Sequence, residues 1–534
     1  MKRRDFLAAG AAAGLAGCAG KRPPPLPPGE LIGPNMTLGH RLRDGGAFPP
    51  PSETRRVDAL IVGAGMAGLA CGWWLARNGQ QDFAVLELEN EAGGNCLSGR
   101  NALTAYPWGA HYLPLPGTDA PELRQMLAEF GVLRGDPFAA RPEYEERHLC
   151  FNPQERLFIN GVWQDGLLPH FGIGASERAQ QQRFIDRMSE LGAARDHAGK
   201  AQFTVPSARG GERDRALDSV TMRDWLRREG FDAPSLHWWV NYACRDDYGT
   251  DYSQASAWAG IHYFAGRHGL ASNADSDTVL TWPEGNGWLS RRLAARLAPW
   301  LRANAMVWRI AADKTGVDVD VYLAREQRSV RYRAARLVWA GPVGFLPHIW
   351  PDLPPQWRAA AARFSYAPWL VANLSVQDVP AQVHEQAPLS WDNVLYQGQG
   401  LGYVVANHQS LALHGKGSVL TYYRPLSEAS PAAGRQLLRT RTREQWAQSI
   451  LADLSRAHPD ILDLTTRLDV CRWGHAMARP TVGLLDGHLL PLRQPQPRVM
   501  LAHADLSGFS LAEEAHYWGI RAARWLLGDK GTST

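Results

Sequence analysis

An α/β chain built on a Rossmann-like, doubly wound parallel sheet is what the sequence predicts, and three observations point to it. Residues 57–62 form a short, mostly apolar strand candidate that runs directly into Gly63-Ala64-Gly65-Met66-Ala67-Gly68. A helical pattern follows at once, with Leu69 and Trp73 one turn apart and Gly79 placed to end it. Residues 83–86 then form a second strand candidate that stops at Glu87, about 24 residues beyond the first glycine. A glycine triplet alone is weak evidence; strand, glycines, helix, strand and terminal carboxylate in this order are strong evidence.

The residues of this unit have distinct physical jobs. Gly63 permits the tight turn, Gly65 lets the backbone approach a pyrophosphate, and Gly68 lets the helix pack close to the strand. Met66 and Ala67 open the helix, whose free N–H groups and positive dipole end favour phosphate charge. Glu87 is placed to accept hydrogen bonds from ribose hydroxyls. Nicotinamide and flavin dinucleotides share all of this, so the choice between them lies downstream.

Later segments complete the α/β pattern. Residues 305–310 and the alternating Val317-Asp318-Val319-Asp320-Val321 predict a hairpin. Residues 336–342 read as a strand and turn. Leu511, Ala515, Trp518, Ala522 and Trp525 recur at spacings of four and three, the stripe of an amphipathic terminal helix.

Length and composition bound the rest. A chain of 534 residues exceeds one core and predicts two or three domains. The net charge of +4 is small for that length, and no long basic run follows the N-terminus, so nucleic acid is not an expected partner. The six cysteines show neither CxxC pairs nor metal-ligand spacing, so no metal is expected, and leaving out Cys18 makes their number odd. Tryptophan is abundant, at 21 residues, which fits either packing or an aromatic-walled channel able to hold a cation.

Residues 1–20 read as an address. Lys2-Arg3-Arg4 precedes an apolar Ala/Gly run too short to span a bilayer. Arg3-Arg4-Asp5-Phe6-Leu7 resembles a twin-arginine export signal, although an ordinary secretory signal can begin the same way. Leu15-Ala16-Gly17-Cys18 resembles a bacterial lipoprotein cleavage site, which implies a lipid on Cys18; the alternative is a small-residue cleavage site that contains a cysteine. The expectation is export by the twin-arginine route and a periplasmic-side lipoprotein of the inner or outer membrane, held by its N-terminal lipid only. Residues 21–55, proline-rich at their start, read as a tether.

Four further segments carry a family resemblance. Glu91-Ala92-Gly93-Gly94-Asn95 is similar to the second signature of the flavin amine oxidase superfamily, which includes amine and polyamine oxidases, protoporphyrinogen oxidases and carotenoid desaturases. Tyr106-Pro107-Trp108-Gly109-Ala110-His111-Tyr112 resembles its next segment, Pro283 to Leu289 its turn before a helix, and Leu501 to Ser510 its C-terminal flavin-binding segment. The resemblance implies FAD as cofactor, and Gly93, Gly94, Asn95, Gly109, Ala110, His111, Val307, Asp505 and Ser510 as residues beside it. Members usually carry Arg where this chain has Asn95. His111 suits either the flavin edge or simple packing. The implied layout writes the FAD-binding domain in three pieces, 56–115, 281–345 and 466–534, with an inserted α+β substrate domain at 116–280 and 346–465.

The substrate is less legible. Arg245, Asp246, Asp247 and Tyr248 combine charge with an aromatic group, as either a structural ion pair or a wall for a cation. His475 is a candidate proton acceptor near the ring or a structural histidine. Residues 364–374, which resemble the strand where amine oxidases carry a lysine, contain none. Cys96 and Cys471 are conceivable points of covalent flavin attachment. The expected function is hydride transfer from a substrate C–H, on an amine or polyamine, to the flavin, with dioxygen or a quinone-like acceptor. The alternatives are a desaturase- or protoporphyrinogen-oxidase-like enzyme on an apolar substrate, and a lipid-anchored electron-transfer flavoprotein.

Overall fold

The computed structural model describes residues 25–410, 417–485 and 487–528. The export-signal reading of residues 1–20 and the lipid on Cys18 therefore lie outside the described residues. Five strands make the parallel core, in the order Leu301–Arg302, Phe83–Leu86, Pro51–Val62, Arg328–Trp339 and Val499–Leu501. Ala59, Leu60 and Ile61 are at most 1% exposed, as expected of strands covered on both faces. The hairpin of Ala305–Ala312 and Val317–Leu323 continues antiparallel into Arg328–Trp339. That long strand changes partner along one edge. Arg328 to Ala334 pair with the hairpin, and Leu337 to Trp339 pair with Val499–Leu501.

The helices Met66–Arg77 and Ala512–Leu527 pack together against the apolar face of this sheet formed by Ala59, Ile61 and Val85. Gly519 sets how closely they approach, because a Cβ there would lie 2.2 Å from the Ala67 carbonyl oxygen. Leu60, Val62 and Leu86 point to the other face and join a core that reaches the helical part of the inserted domain.

The inserted domain is built on an eight-stranded mixed sheet, ordered Leu31–Ile32, Thr465–Ala478, Tyr366–Val376, Ser418–Pro425, Gly402–Val405, Asp392–Leu395, Glu155–Ile159 and Val162–Asp165. Helices Ala175–Ala193, Met222–Arg228, Pro234–Tyr248 and Ala257–Ala265 form its α-helical part. Two expected boundaries shift. The strand Thr465–Ala478, assigned above almost wholly to the last FAD-binding piece, pairs with Tyr366–Val376 throughout and so belongs to the inserted domain's sheet. The segment expected as a tether to residue 55 forms strand Leu31–Ile32 and helix Met36–Arg43, and it has entered the core strand by Pro51.

Asp453 ties helix Arg443–Leu454 to this sheet. Its carboxylate accepts from Gln399 N–H (3.0 Å), Gly400 N–H (2.9 Å) and the Tyr422 hydroxyl (2.9 Å) while 4% exposed. Asp453→Ala strands these donors, and a loss of about 3 kcal/mol of stability is expected, read as a lower urea midpoint.

Candidate functional site

Elementary geometry builds the nucleotide cradle. Gly63 has φ +103°, and a Cβ there would meet the Ala340 backbone at 2.9 Å. At Gly68 a Cβ would lie 1.8 Å from the Gly63 carbonyl oxygen. The second glycine pair packs onto the first turn: Gly93 N–H donates to the Ala64 carbonyl (2.8 Å), and Gly65 bridges Gly93. Helix Met66–Arg77 starts at Gly65 with no side chain capping it, which leaves its first N–H groups to a ligand. Glu87 Oε2 accepts from Ala64 N–H (2.8 Å) and Oε1 from Glu89 N–H (3.0 Å). Burial pushes its carboxyl up to about 7. Val307 lies two residues beyond Ala305, whose N–H donates to the Glu87 carbonyl (2.8 Å), so the hairpin runs beside the end of the Glu87 strand.

Asp505 is fully buried. Its Oδ2 accepts from Val343 N–H (2.8 Å) and the Tyr366 hydroxyl (2.6 Å), whereas Oδ1 stands 3.1 Å from His503 Nδ1, a nitrogen that itself accepts from Asp505 N–H, and so has no hydrogen-bond donor. The Asn286 side-chain oxygen is likewise buried and unpaired, at the edge of the cleft described next. Both oxygens are open to hydroxyl or N–H donors of a ligand.

A cleft opens where the two domains meet. Asn95, Gly109, Ala110, His111 and Ser510 line it from the FAD-binding side, and Trp369, Tyr423, Trp473 and Met477 from the inserted sheet. His111 stacks on Tyr423 with ring centroids 4.3 Å apart, and burial lowers its imidazole to about 4, so it is neutral at pH 7. Tryptophan is divided between cleft and core: Trp369 and Trp473 wall the cleft, while Trp258, Trp357, Trp446 and Trp518 are core.

Charge in the cleft is lopsided. Asp246, Asp247 and Glu513 face it, and Arg267 is the one cation among the described residues lining it. Arg267 Nη2 donates to both Asp247 oxygens at 2.9 Å, so Asp247 is already paired. Asp246 has only the Tyr112 hydroxyl, at 3.5 Å. Burial, and then the neighbouring Asp247, raise the Asp246 carboxyl; burial pushes Glu513 up to about 7. Asp392 and Glu155 stand close enough to Asp246 for their charges to raise one another further. Such a surplus of buried carboxylates is costly until a cation enters.

The structure separates the candidates named from sequence. Asp246 and Asp247 reach the cleft. Arg245 points the other way, donating to the Gln399 carbonyl (2.8 Å) and Ser427 (3.2 Å), and the Tyr248 hydroxyl is spent on the Ala259 carbonyl (2.9 Å). Consecutive helical positions are about 100° apart, so four in a row cannot share one face. His475 is not on the cleft wall. Between the pairs Trp369–Trp473 and Ala367–Met477 the strand carries extra residues, and this bulge sets His475 edge-on to Phe345 (5.6 Å) and Tyr366 (6.1 Å). Asn95 donates its amide to the Ala476 carbonyl, joining the Gly-Gly turn to that bulge. Cys96 and Cys471 are buried, free and absent from the cleft lining. Sequence reading missed Arg267, Glu513 and Trp369; Glu513 alone left a signal, as an acidic residue in the first turn of the terminal helix.

The cradle fits FAD. Gly63, Gly65 and Gly68 leave room for a pyrophosphate, Glu87 ends its strand where a ribose would lie, Asp505 Oδ1 has no donor within the protein, and the cleft is walled by aromatics where a flavin ring would lie.

Comparison with known proteins agrees. The family model described as "Flavin containing amine oxidoreductase" matches residues 66–527. A search of curated proteins gives no match. Among solved structures, putrescine oxidase bound to putrescine is 18% identical, with TM-score 0.67, covering 89% of this chain and 100% of its own. Cyclohexylamine oxidase from Brevibacterium oxydans IH-35A is 16% identical, with TM-score 0.64, covering 89% and 99%. A CLA-producing fatty acid isomerase from P. acnes is 15% identical, with TM-score 0.62, covering 88% and 98%.

Proposed function

Since the chain belongs to the flavin-containing amine oxidoreductase family and is an FAD-dependent oxidoreductase, we propose that its substrate is a cationic amine, and specifically a diamine or polyamine. One observation carries this reading. The cleft that brings the flavin-binding segments together is aromatic-walled and holds more carboxylates than cations, with Asp246 unpaired. Aromatic faces and buried carboxylates together recognise an ammonium group. Asp392 and Glu155, close enough to Asp246 to feel its charge, are further raised carboxyls that a second ammonium group would hold ionised.

When bound, FAD supplies the hydride acceptor. The residues of the chain do the rest. Trp369, Tyr423 and Trp473 exclude water and orient the carbon chain. Asp246 holds the ammonium group and takes its proton, so that the nitrogen lone pair is free when the adjacent C–H is broken. Neutral His111 packs the wall and brings no opposing charge.

The pH dependence follows from the raised carboxyls. They are protonated below neutrality and cannot attract an ammonium; above about 7 they are ionised and can. The second-order rate of anaerobic flavin reduction by a diamine is expected to rise about tenfold per pH unit below 7 and then to level. A flat profile from pH 5 to 8 would remove the carboxylates from substrate recognition. A different reading, an apolar neutral substrate, has one observation in its favour: among the described residues no lysine lines the cleft, and Trp369 and Val371 face it from the strand Tyr366–Val376.

We also propose twin-arginine export and a lipid on Cys18, supported by Arg3-Arg4 with Phe6-Leu7 and by Leu15-Ala16-Gly17-Cys18. Cys18→Ser is expected to move the protein from the membrane to the soluble fraction of fractionated cells. Retention of the variant in the membrane would contradict the anchor.

A further inference from the structure

Residues 28–48 are pinned along their length, which a free tether is not. Leu468 N–H donates to the Pro28 carbonyl (2.8 Å) and Val470 N–H to the Glu30 carbonyl (2.9 Å). Glu30 N–H donates to Asp469 Oδ1 (2.8 Å), and Arg467 reaches the Glu30 carboxylate at 2.9 Å. Gly29 allows the close approach, since a Cβ there would lie 1.8 Å from the Leu468 carbonyl oxygen. Leu31 and Ile32 then align parallel with Val470 and Cys471.

From this edge of the inserted sheet the chain crosses to the FAD-binding domain. Asn35 N–H donates to Glu89 Oε1 (2.8 Å), and its side chain caps helix Met36–Arg43 through Leu38 N–H (3.2 Å). Leu38 is buried against Met306 and Tyr322, with Leu42 and Leu88 beside it. Phe48 stacks on Trp308 (5.6 Å) beneath the Arg41 guanidinium (4.3 Å). The contact with Glu89 reaches the heart of the cofactor cradle. Glu89 N–H donates to Glu87 Oε1 and Ala64 N–H to Glu87 Oε2, so three hydrogen bonds in series join Asn35 to the glycine turn. The hairpin that Leu38 covers is the one carrying Val307, beside the adenosine end of the site.

We propose that residues 28–48 are a cofactor strap: an arm tied to both domains that closes the adenosine end of the FAD site and slows FAD release. The strap must open locally before the cofactor leaves, so breaking its contacts raises the release rate. It supplies by enclosure some of the hold lost where Asn95 replaces the arginine usual in relatives. For an enzyme working where free FAD is scarce, retention of the loaded cofactor decides its working life.

The test needs no substrate, so it stands or falls apart from the amine reading. Purified holoenzyme of the full chain is diluted into buffer, and released FAD is followed by its fluorescence. Leu38→Asp, which puts a charge into the buried contact, and Asn35→Pro, which removes the N–H given to Glu89, are each expected to speed release at least about tenfold. In the wild type, trypsin is expected to cut after Arg41 and Arg43 more slowly with FAD bound than in the apoprotein. Release within twofold of wild type from variants whose arm trypsin cuts faster would overturn the strap. Should neither variant fold, the wild-type digest decides, and equal cleavage with and without FAD overturns it too.

Discussion

Gly68→Val is expected to give a folded but colourless protein that retains less than about 1% of the wild-type FAD content. The reason is local and steric. Even a Cβ at this position would sit 1.8 Å from the Gly63 carbonyl oxygen and 3.3 Å from the Ala340 side chain. The helix Met66–Arg77 would have to slide away from the strand Pro51–Val62, taking its free N–H groups from the pyrophosphate position. Those N–H groups act within the first turn only, so a shift of an ångström or two removes both hydrogen bonds and dipole. The rest of the helix keeps its packing against Ala512–Leu527, so circular dichroism should stay close to wild type while the flavin absorbance disappears. Gly79, open to space beyond the same helix, is the contrasting position. Gly79→Asn, suited to its φ of +79°, should leave FAD content unchanged.

Asp246→Asn is expected to lower kcat/KM for a diamine by about 100-fold, through both KM and kcat, with FAD content unchanged. The substitution keeps the shape and removes the charge. Asp246, like Glu513, is a cleft carboxylate without an ion pair, so its charge is available to a substrate ammonium. Asp247 is a poorer test, because its loss strands the half-buried Arg267 and destabilises the fold as well. Arg245→Ala is the matching control. The guanidinium of Arg245 is occupied on the far side by Gln399 and Ser427, so the rate should change little. An unchanged kcat/KM in Asp246→Asn would place the substrate's charge elsewhere, or show a neutral substrate.

The parts of the fold legible in the sequence are those where the backbone itself is constrained. Gly63 and Gly68 have no room for a side chain, and Glu87 must end a strand that lies beside them, so order and spacing reveal the unit. The second sheet left little trace, because its pairs join residues far apart in the chain. Leu31 with Val470, and Glu155 with Asp392, carry no local period that reports them. For the same reason a proline-rich start read as a free tether, although its later residues bond to strand Thr465–Ala478. In the site, Asp246 and Asp247 were visible as a charged pair among aromatics. Arg267 was not, since it reaches Asp247 from beyond the next helix, Ala257–Ala265, and no spacing marks that pairing. His475 read equally as a proton acceptor near the ring or a structural histidine, and the bulge that turns it from the cleft has no sequence signal beyond Gly474.

The most direct test of the central claim is an anaerobic absorbance titration of the purified holoenzyme with mono- and diamines, including putrescine and spermidine. Stoichiometric bleaching of the oxidised flavin band by a diamine, at lower concentration than by a monoamine of equal length, is the predicted result. A yellow protein that none of these amines reduces, while the same flavin bleaches with dithionite, would contradict it.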